Sequence, residues 1–215
     1  MTDLVGHVGA VARSVESVER NGQPAKVVRA RRTYPADIDD VWDACTNPER
    51  LPRWFLPVTG DFRVGGRYQC EGNASGVIER CEEPSLLAVT WEYGGDISWL
   101  EVRLEGSPNG TTLELEHTAQ VDGERWIEFG PGAVGVGWDM ALLGLGLHLE
   151  AGEAFDPAAA QEMMRSPEGV QLLTSASEEW GRASIADGEQ PEAATAAAAR
   201  TTAFYTGAPP YSTQD

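Results

Sequence analysis

The chain has 215 residues, enough for one large domain or for one domain with an extension, and 41 % of them are hydrophobic. Its 34 acidic residues outnumber its 16 Lys and Arg residues, which gives a formal net charge of -18 at pH 7. Because like charges repel, this balance disfavours acidic substrates, and we expect no nucleic acid and no membrane surface among the partners.

The cysteines and the N-terminal sequence bear on the cellular compartment. Cys45, Cys70 and Cys81 are odd in number and lack the C-x-x-C spacing, so we expect no disulfide framework and no zinc site. The first twenty residues carry an acid at Asp3 and no uninterrupted apolar core, unlike a signal peptide, and no run approaches the ~18 apolar residues of a membrane span. We therefore predict a cytoplasmic protein.

The N-terminal region is predicted to form a helix that precedes the first strand. Apolar residues recur at helical spacing from residue 3 to residue 20, at Leu4, Val8, Val11, Val15 and Val18. Asn21-Gly22 ends this pattern, so residues 1–25 are assigned to an N-terminal helix. Lys26 to Tyr34 is predicted as the first strand of the main domain, residues 26–150.

Two short helices, each with a tryptophan, are predicted directly after that strand. The first has one apolar stripe at i, i+3, i+4 and i+7, formed by Ile38, Val41, Trp42 and Cys45. Asn47-Pro48 ends it, and the same spacing returns in a shorter helix with Leu51, Trp54 and Phe55.

The middle of the chain alternates strand patterns with turn signals. Gly-Gly, Glu-Pro and Pro-Asn-Gly sequences separate six further strand candidates, at residues 60–64, 66–72, 75–82, 86–93, 97–105 and 111–119. With the first strand they predict an α+β helix-grip fold, in which a curved antiparallel sheet surrounds one long late helix. That helix is predicted over Val134 to Glu150.

Apolar residues lie nearly all round the late helix, which indicates burial on more than one face. The stripe interpreted as facing the sheet consists of Val134, Trp138, Leu142 and Leu145. The stripe interpreted as covered by a helical C-terminal extension, residues 151–207, consists of Val136, Met140, Leu143 and Leu147; the reverse assignment stays open. Helices are predicted over residues 167–187 and 191–205, and residues 208–215 are expected to fray.

Several motifs together resemble a known superfamily. The sequence YPADIDDVWDACTNPERLPRWF, followed by FRVGGRYQCEG, VTWEY and the Gly-rich apolar helix, resembles the START-like superfamily, also called SRPBCC. Within it, residues 26–150 are similar to the bacterial branch named for similarity to the activator of the heat-shock-protein ATPase. The resemblance implies the helix-grip fold. It leaves the function open, because the superfamily includes lipid carriers, polyketide cyclases and co-chaperone domains.

Cofactor and metal motifs are missing from the sequence. The glycine pairs at 65–66 and 94–95 lie between strands, and no helix N-terminus follows them to hold a phosphate. His7, His117 and His148 are too scattered to indicate a metal site. We expect no cofactor and no metal.

Three residues are candidates for catalysis. His117 shares a strand face with Leu115, so it is either a core histidine bonded to a neighbour or a polar anchor or general base at a cavity wall. Asp139 lies inside the apolar helix, and Glu128 precedes it. Asp139 would be an acid or ligand anchor if it faced a cavity, and a structural pair if it faced an arginine of the sheet.

The resemblance implies an apolar cavity between the sheet and the late helix. The residues predicted to bind the ligand there are Trp54, Tyr68, Trp91, Trp99, Leu115, His117, Trp138 and Leu142. The late helix also contains Gly135, Gly137, Gly144 and Gly146, each of which costs roughly 1 kcal/mol relative to Ala. They require either the close approach of another element or room for a ligand.

Three functions remain open from the sequence. The first is a binding module, monomeric or homodimeric, that holds a small, mostly apolar molecule. The second is a cyclase- or hydratase-type enzyme that uses His117 with Asp139 or Glu128 on a ketide or aromatic substrate. The third is an interaction domain that regulates a chaperone ATPase.

Overall fold

The computed structural model describes residues 4–121, 124–151 and 162–208. Its strands are β1 (Ala12–Arg20), β2 (Gln23–Tyr34), β3 (Val58–Gly60), β4 (Arg67–Cys70), β5 (Ser75–Glu82), β6 (Leu86–Tyr93), β7 (Asp96–Ser107) and β8 (Gly110–Gln120). Its helices are α1 (Leu4–Gly9), α2 (Ile38–Thr46), α3 (Glu124–Phe129), α4 (Gly132–Ala151), α5 (Pro167–Ala186) and α6 (Pro191–Thr206), and a 3-10 turn spans Leu51–Arg53.

The strands form one sheet in the order β1-β2-β8-β7-β6-β5-β4-β3. Strands β3 to β8 pair with their neighbours in antiparallel fashion. Together with the long helix α4, this sheet confirms the predicted α+β helix-grip fold. The predicted strand at residues 60–64 is displaced to β3, because Asp61, Arg63 and Gly66 form backbone turns instead.

The predicted N-terminal helix is wrong over most of its length. Helix α1 ends at Gly9, and residues 12–20 form strand β1. The reason lies in Asn21 and Gly22, whose φ angles of 55° and 76° are both positive, as in a type I′ hairpin turn. The Asn-Gly pair therefore joins two paired strands rather than ending a helix.

Two compact units divide the chain. The first contains residues 1–30, 120–140 and 156–215, and the second contains residues 31–119 and 141–155. Elements β2 and α4 each contribute to both units. The predicted boundary between a 26–150 domain and a 151–207 extension does not coincide with this division. Beyond residue 208, the predicted frayed tail lies outside the described residues.

The two C-terminal helices begin and end close to the predicted positions. Helix α5 has a proline in its first turn, and the Ser166 hydroxyl accepts a hydrogen bond from the Gly169 amide at 3.1 Å. Helix α6 ends at Thr206, and the following Gly207, with a φ of 67°, provides the left-handed cap. After α5, the Asp187 carboxylate accepts hydrogen bonds from the amide and hydroxyl of Ser17 in β1, both at 2.9 Å, and pairs with Lys26.

In the first unit, α4 contacts the C-terminal helices through small residues. A Cβ added at Gly135 would lie 2.4 Å from the Trp180 ring, and one at Gly132 would lie 2.6 Å from the Thr201 hydroxyl. Val136, which belongs to the stripe predicted to be covered by the extension, is buried. The close approach of Trp180 accounts for the glycine at position 135.

In the second unit, the remaining glycines of α4 are explained in the same way. A Cβ at Gly144 would lie 2.6 Å from the Trp54 carbonyl oxygen, and a Cβ at Gly146 would lie 2.7 Å from Arg32 Nη2. Close packing against the helix backbone, rather than room for a ligand, accounts for both.

Helix α4 is also long and apolar enough to cross a membrane by length and composition, with a mean hydropathy of 1.3 over Gly132–Glu150. This corrects the expectation that no run of the chain approaches a membrane span. Half of that stretch is buried inside the protein. The helix is the core helix of the helix-grip fold.

Substitution of Gly135 by Ala tests the packing of Trp180. We expect Gly135→Ala to lower the free energy of unfolding by about 1–3 kcal/mol, because the added methyl overpacks the site. Gly137→Ala is the matched control. Its added methyl would lie 3.2 Å from the end of the Tyr205 side chain. The substitution itself gains roughly 1 kcal/mol of helix propensity. Urea unfolding measures both, and equal losses would contradict the proposed contact.

Candidate functional site

The inner face of the sheet in the second unit carries a small polar group among apolar side chains. His117 in β8 lies opposite Leu100 in β7, and Ser98 lies two residues before Leu100 on the same face. Trp91 in β6 lies opposite Ser98. Strand register therefore brings Trp91, Ser98 and His117 onto one face, which they share with Leu115.

His117 is hydrogen-bonded through Ser98. The imidazole is 2 % exposed, and its Nε2 lies 2.8 Å from the Ser98 hydroxyl oxygen. That hydroxyl donates its proton to the Trp91 carbonyl oxygen at 3.1 Å. When the Ser98 proton is directed at the Trp91 carbonyl oxygen, Nε2 is the donor to Ser98, which corresponds to the Nε2-H tautomer of His117. The Trp91 ring approaches the imidazole edge-on, with centroids 6.1 Å apart.

Burial keeps His117 uncharged. Desolvation lowers the pKa of its imidazole from 6.5 to about 4. A group that is this weakly basic is a poor general base near neutral pH, since proton transfer is most effective when the pKa lies near the working pH. The low pKa disfavours a catalytic base, and the burial and the bond to Ser98 fit a core histidine bonded to a neighbour as well as a polar anchor.

Tyr68 extends the aromatic surface beside Trp91. It is buried and pairs with Gly76 of β5, and its hydroxyl donates to the Thr90 carbonyl oxygen at 2.7 Å. Gly76 approaches that same carbonyl so closely that a Cβ would lie 1.9 Å from it. We call Tyr68, Trp91, Ser98 and His117 the inner-face cluster.

The inner-face cluster is buried at one end and accessible at the other. His117 and Tyr68 are buried, whereas Trp91 and Ser98 are half-buried. Tyr93, two residues beyond Trp91 on the same strand face, is 45 % exposed. The more exposed end of the cluster is therefore the end next to the β6–β7 hairpin.

Two other predicted binding residues have structural contacts in the second unit. The Trp54 indole donates to the Ala44 carbonyl oxygen at 2.8 Å, which ties the 3-10 turn to α2. Leu142 is buried, and its carbonyl oxygen accepts hydrogen bonds from Arg32 Nη1 at 3.1 Å and Tyr34 Oη at 2.9 Å. These bonds hold α4 against the inner face of β2.

The remaining two predicted binding tryptophans are Trp99 and Trp138. Trp99 pairs with Thr90 and Thr118, so strand alternation places it on the opposite face from His117. This corrects its assignment to the cavity wall. Trp138 is buried and belongs to the first unit.

Asp139 forms a buried ion pair in the first unit. Arg13 of β1 lies with its Nε 3.1 Å from both carboxylate oxygens, and the Trp180 indole donates to the carboxylate at 2.9 Å. Burial raises the pKa of Asp139 to about 6, although Arg13 and Trp180 act in the opposite direction. Asp139 thus faces an arginine of the sheet. Of the two roles predicted from the sequence, this is the structural pair and not the acid or ligand anchor.

Glu128 offers no comparable environment. Its side chain is exposed, and its backbone carbonyl oxygen accepts a hydrogen bond from Arg200 Nε at 2.6 Å.

Within residues 4–121, 124–151 and 162–208, no group of three or more His, Cys, Asp or Glu side chains is placed to hold a metal ion.

Sequence reasoning missed two polar residues of the inner face. Ser98 is separated from Leu100 by one residue, so strand alternation could have placed it beside His117. Arg32 is 6 % exposed because it shares the inner face of β2 with Ala30 and Tyr34, and its guanidinium lies 4.9 Å from the Tyr34 ring centre. The sequence signal that could have found Arg32 is the alternation of residues within RARRTY, which places Arg32 on the same strand face as Ala30 and Tyr34.

The outer face of the same sheet has a separate groove. Its volume is about 420 Å³, and it is lined by Arg31, Glu82, Ser85, Leu86, Arg103, Leu104, Glu105, Thr112 and Glu114. This groove is on the other side of the sheet from His117. It is therefore distinct from the cavity that the sequence predicts.

A model of the family described as Activator of Hsp90 ATPase homolog 1-like protein matches residues 35–150, more than half of the chain. The chain belongs to this family. The suspected resemblance to the START-like superfamily is thereby confirmed. No curated protein matched the chain.

Solved structures agree with the Activator of Hsp90 ATPase homolog 1-like assignment. The crystal structure of CalU16 from Micromonospora echinospora is 36 % identical, covers 81 % of this chain and 98 % of its own, and has a TM-score of 0.66. DynU16, a protein of the dynemicin biosynthetic locus, is 22 % identical, covers 60 % and 48 %, and has a TM-score of 0.53. PFC0360w, an HSP90 activator from Plasmodium falciparum, is 20 % identical, covers 59 % and 96 %, and has a TM-score of 0.50. The last two show the fold alone.

The Arg13–Asp139 pair gives a stability prediction. Asp139→Asn leaves the Arg13 guanidinium buried without its counter-charge, so we expect a loss of about 3–5 kcal/mol. Arg13→Met should cost a similar amount. The double variant Arg13→Met/Asp139→Leu removes both charges and should recover most of the loss. Additive losses in urea unfolding would show that the two side chains do not act as a pair.

His117 gives a pH prediction. Between pH 6.5 and 4 the unfolded chain binds a proton that folded His117 does not, so its contribution is complete above pH 6.5 and falls as the pH drops to 4. The interval between the two pKa values corresponds to roughly 3 kcal/mol. Relative to His117→Asn, the wild type should lose this amount in urea unfolding over that range. A difference that stays constant with pH would contradict the low pKa.

Proposed function

We propose that the chain binds a small, mostly apolar molecule at the inner-face cluster of the second unit. The observation that carries this proposal is the bond between the buried, neutral His117 and the half-buried Ser98 on an otherwise apolar sheet face, with the half-buried Trp91 beside them. A few placed polar groups within an apolar, aromatic surface are typical of small-molecule sites. Membership of the START-like superfamily supports the same reading.

Catalysis of the cyclase or hydratase type has less support. It requires a carboxylate to work with His117, but the Asp139 carboxylate is bonded to Arg13 and Trp180, and Glu128 is exposed. The low pKa of His117 also weakens it as a base. Binding without chemistry is the simpler consequence of these contacts.

Regulation of a chaperone ATPase is the third candidate. The family name and the HSP90 activator of Plasmodium falciparum motivate it, but the latter shares only 20 % identity with this chain. A shared fold does not imply a shared binding partner.

The cytoplasmic location and the monomeric or homodimeric state remain predictions.

Trp91 and Trp99 provide a matched test of ligand binding. They lie in neighbouring strands on opposite faces of the sheet, so Trp91→Ala removes an inner-face aromatic and Trp99→Ala removes an outer-face one. The neutral dye Nile red is a suitable probe, because the net charge of -18 would repel an anionic dye. We expect saturable fluorescence enhancement with the wild type and about tenfold weaker binding to Trp91→Ala.

Trp99→Ala should bind the dye like the wild type. Circular dichroism of both variants checks that each remains folded. Absence of saturable binding to the wild type, or an equal loss in both variants, would refute a binding site at the inner-face cluster.

A further inference from the structure

We infer that the molecule bound at the inner-face cluster is an aromatic hydrogen-bond donor, such as a phenol or an enol, rather than a carboxylate or a ketone. This inference rests on the proposed function and specifies its ligand class. It follows from how the protons are distributed between Ser98 and its two neighbours.

The Ser98 hydroxyl has one proton and two lone pairs. In the described part of the chain, that proton has two protein acceptors within reach, the Trp91 carbonyl oxygen and, in the other tautomer of His117, the imidazole Nε2, so it is used within the cluster in either tautomer. At least one lone pair remains, on a side chain that is half-buried and therefore within reach of a ligand. The polar group presented at the accessible end of the cluster is thus an acceptor.

An acceptor selects a ligand that can donate. A phenolic or enolic hydroxyl can give its proton to Ser98, whereas a ketone or carboxylate would set two lone-pair-bearing oxygens against each other. Two acceptor oxygens in contact make no hydrogen bond, so a ketone or carboxylate loses binding free energy relative to a hydroxyl. This loss distinguishes ligands that are otherwise similar in shape. The net charge of -18 disfavours a carboxylate further.

The aromatic part of the ligand class follows from the side chains around Ser98. Trp91 is half-buried and Tyr68 continues the aromatic surface into the interior. Aromatic rings pack favourably on such surfaces in stacked or edge-on arrangements. Arg32 is a cation on the inner face of the same unit, but its Nη1 is bonded to the Leu142 carbonyl and its guanidinium stacks on Tyr34.

Three probes of one shape test the inference with the full chain: 2-naphthol donates a hydrogen bond, 2-methoxynaphthalene cannot, and 2-naphthoate is an anionic acceptor. Isothermal titration should show 2-naphthol binding about tenfold more tightly than its methyl ether, with 2-naphthoate weakest. Ser98→Ala should abolish the preference for the naphthol. Ser98→Thr, which keeps the hydroxyl, should retain it, and Ser85→Ala on the outer face is the control.

The outcomes separate the two proposals. If no probe binds saturably, the proposed binding function itself fails. If the probes bind but the methyl ether matches the naphthol, or 2-naphthoate binds most tightly, the donor inference fails while the binding function stands; tight naphthoate binding would point to Arg32 instead. Should Ser98→Ala fail to fold, the ranking of the three probes on the wild type still decides.

Discussion

Close contact with the backbone of α4 is the constraint on which the rest of the structure depends. The helix has large apolar side chains on most of its circumference, yet its neighbours reach the backbone through glycines: Trp180 at Gly135, Trp54 at Gly144 and Arg32 at Gly146. Each glycine sacrifices roughly 1 kcal/mol of helix propensity. The contacts that the missing side chains permit, including two hydrogen bonds to the Leu142 carbonyl, offset that cost.

The two units respond to acid in opposite directions at their buried titratable groups. In the second unit, His117 is neutral in the folded protein. Its contribution to the stability of the folded protein therefore falls as the pH drops from 6.5 towards 4. In the first unit, the raised pKa of Asp139 means that the folded form takes up a proton before the unfolded chain does, so its contribution to stability is largest at low pH and declines as the pH rises to about 6. Burial of the imidazole thus destabilises the protein at the acidic end of this pH interval, and burial of the carboxylate destabilises it at the neutral end.

Local sequence signals predicted the regular elements well where periodicity and end signals agreed. The ends of β5, β6, α5 and α6 follow from alternation, proline and glycine at the expected places. The N-terminal helix failed beyond Gly9 because Val15 and Val18, which continue the helical spacing of the residues before them, lie in strand β1, and only pairing with β2 decides for the strand. Asn21-Gly22 carried the correct signal, but it also fits a helix end.

Site residues were harder to predict because they depend on register and on packing between distant segments. The face of His117 followed from alternation within β8, whereas the position of Trp99 required knowing which residues of β6 and β8 lie opposite it. Asp139 could be recognised as buried, but its partners lie 126 and 41 residues away along the chain. No pattern within one element identifies Arg13 or Trp180 as those partners.

The contact between Asp187 and Ser17 affects how the sheet meets other molecules. Strand β1 is at the end of the strand order, so one row of its backbone groups has no neighbouring strand within the sheet. The Asp187 carboxylate accepts the proton of the Ser17 amide and is itself paired with Lys26. A second chain that tried to add a strand at this position would have to displace and desolvate a charged group, so this carboxylate protects the edge against unintended strand addition and the aggregation that follows from it.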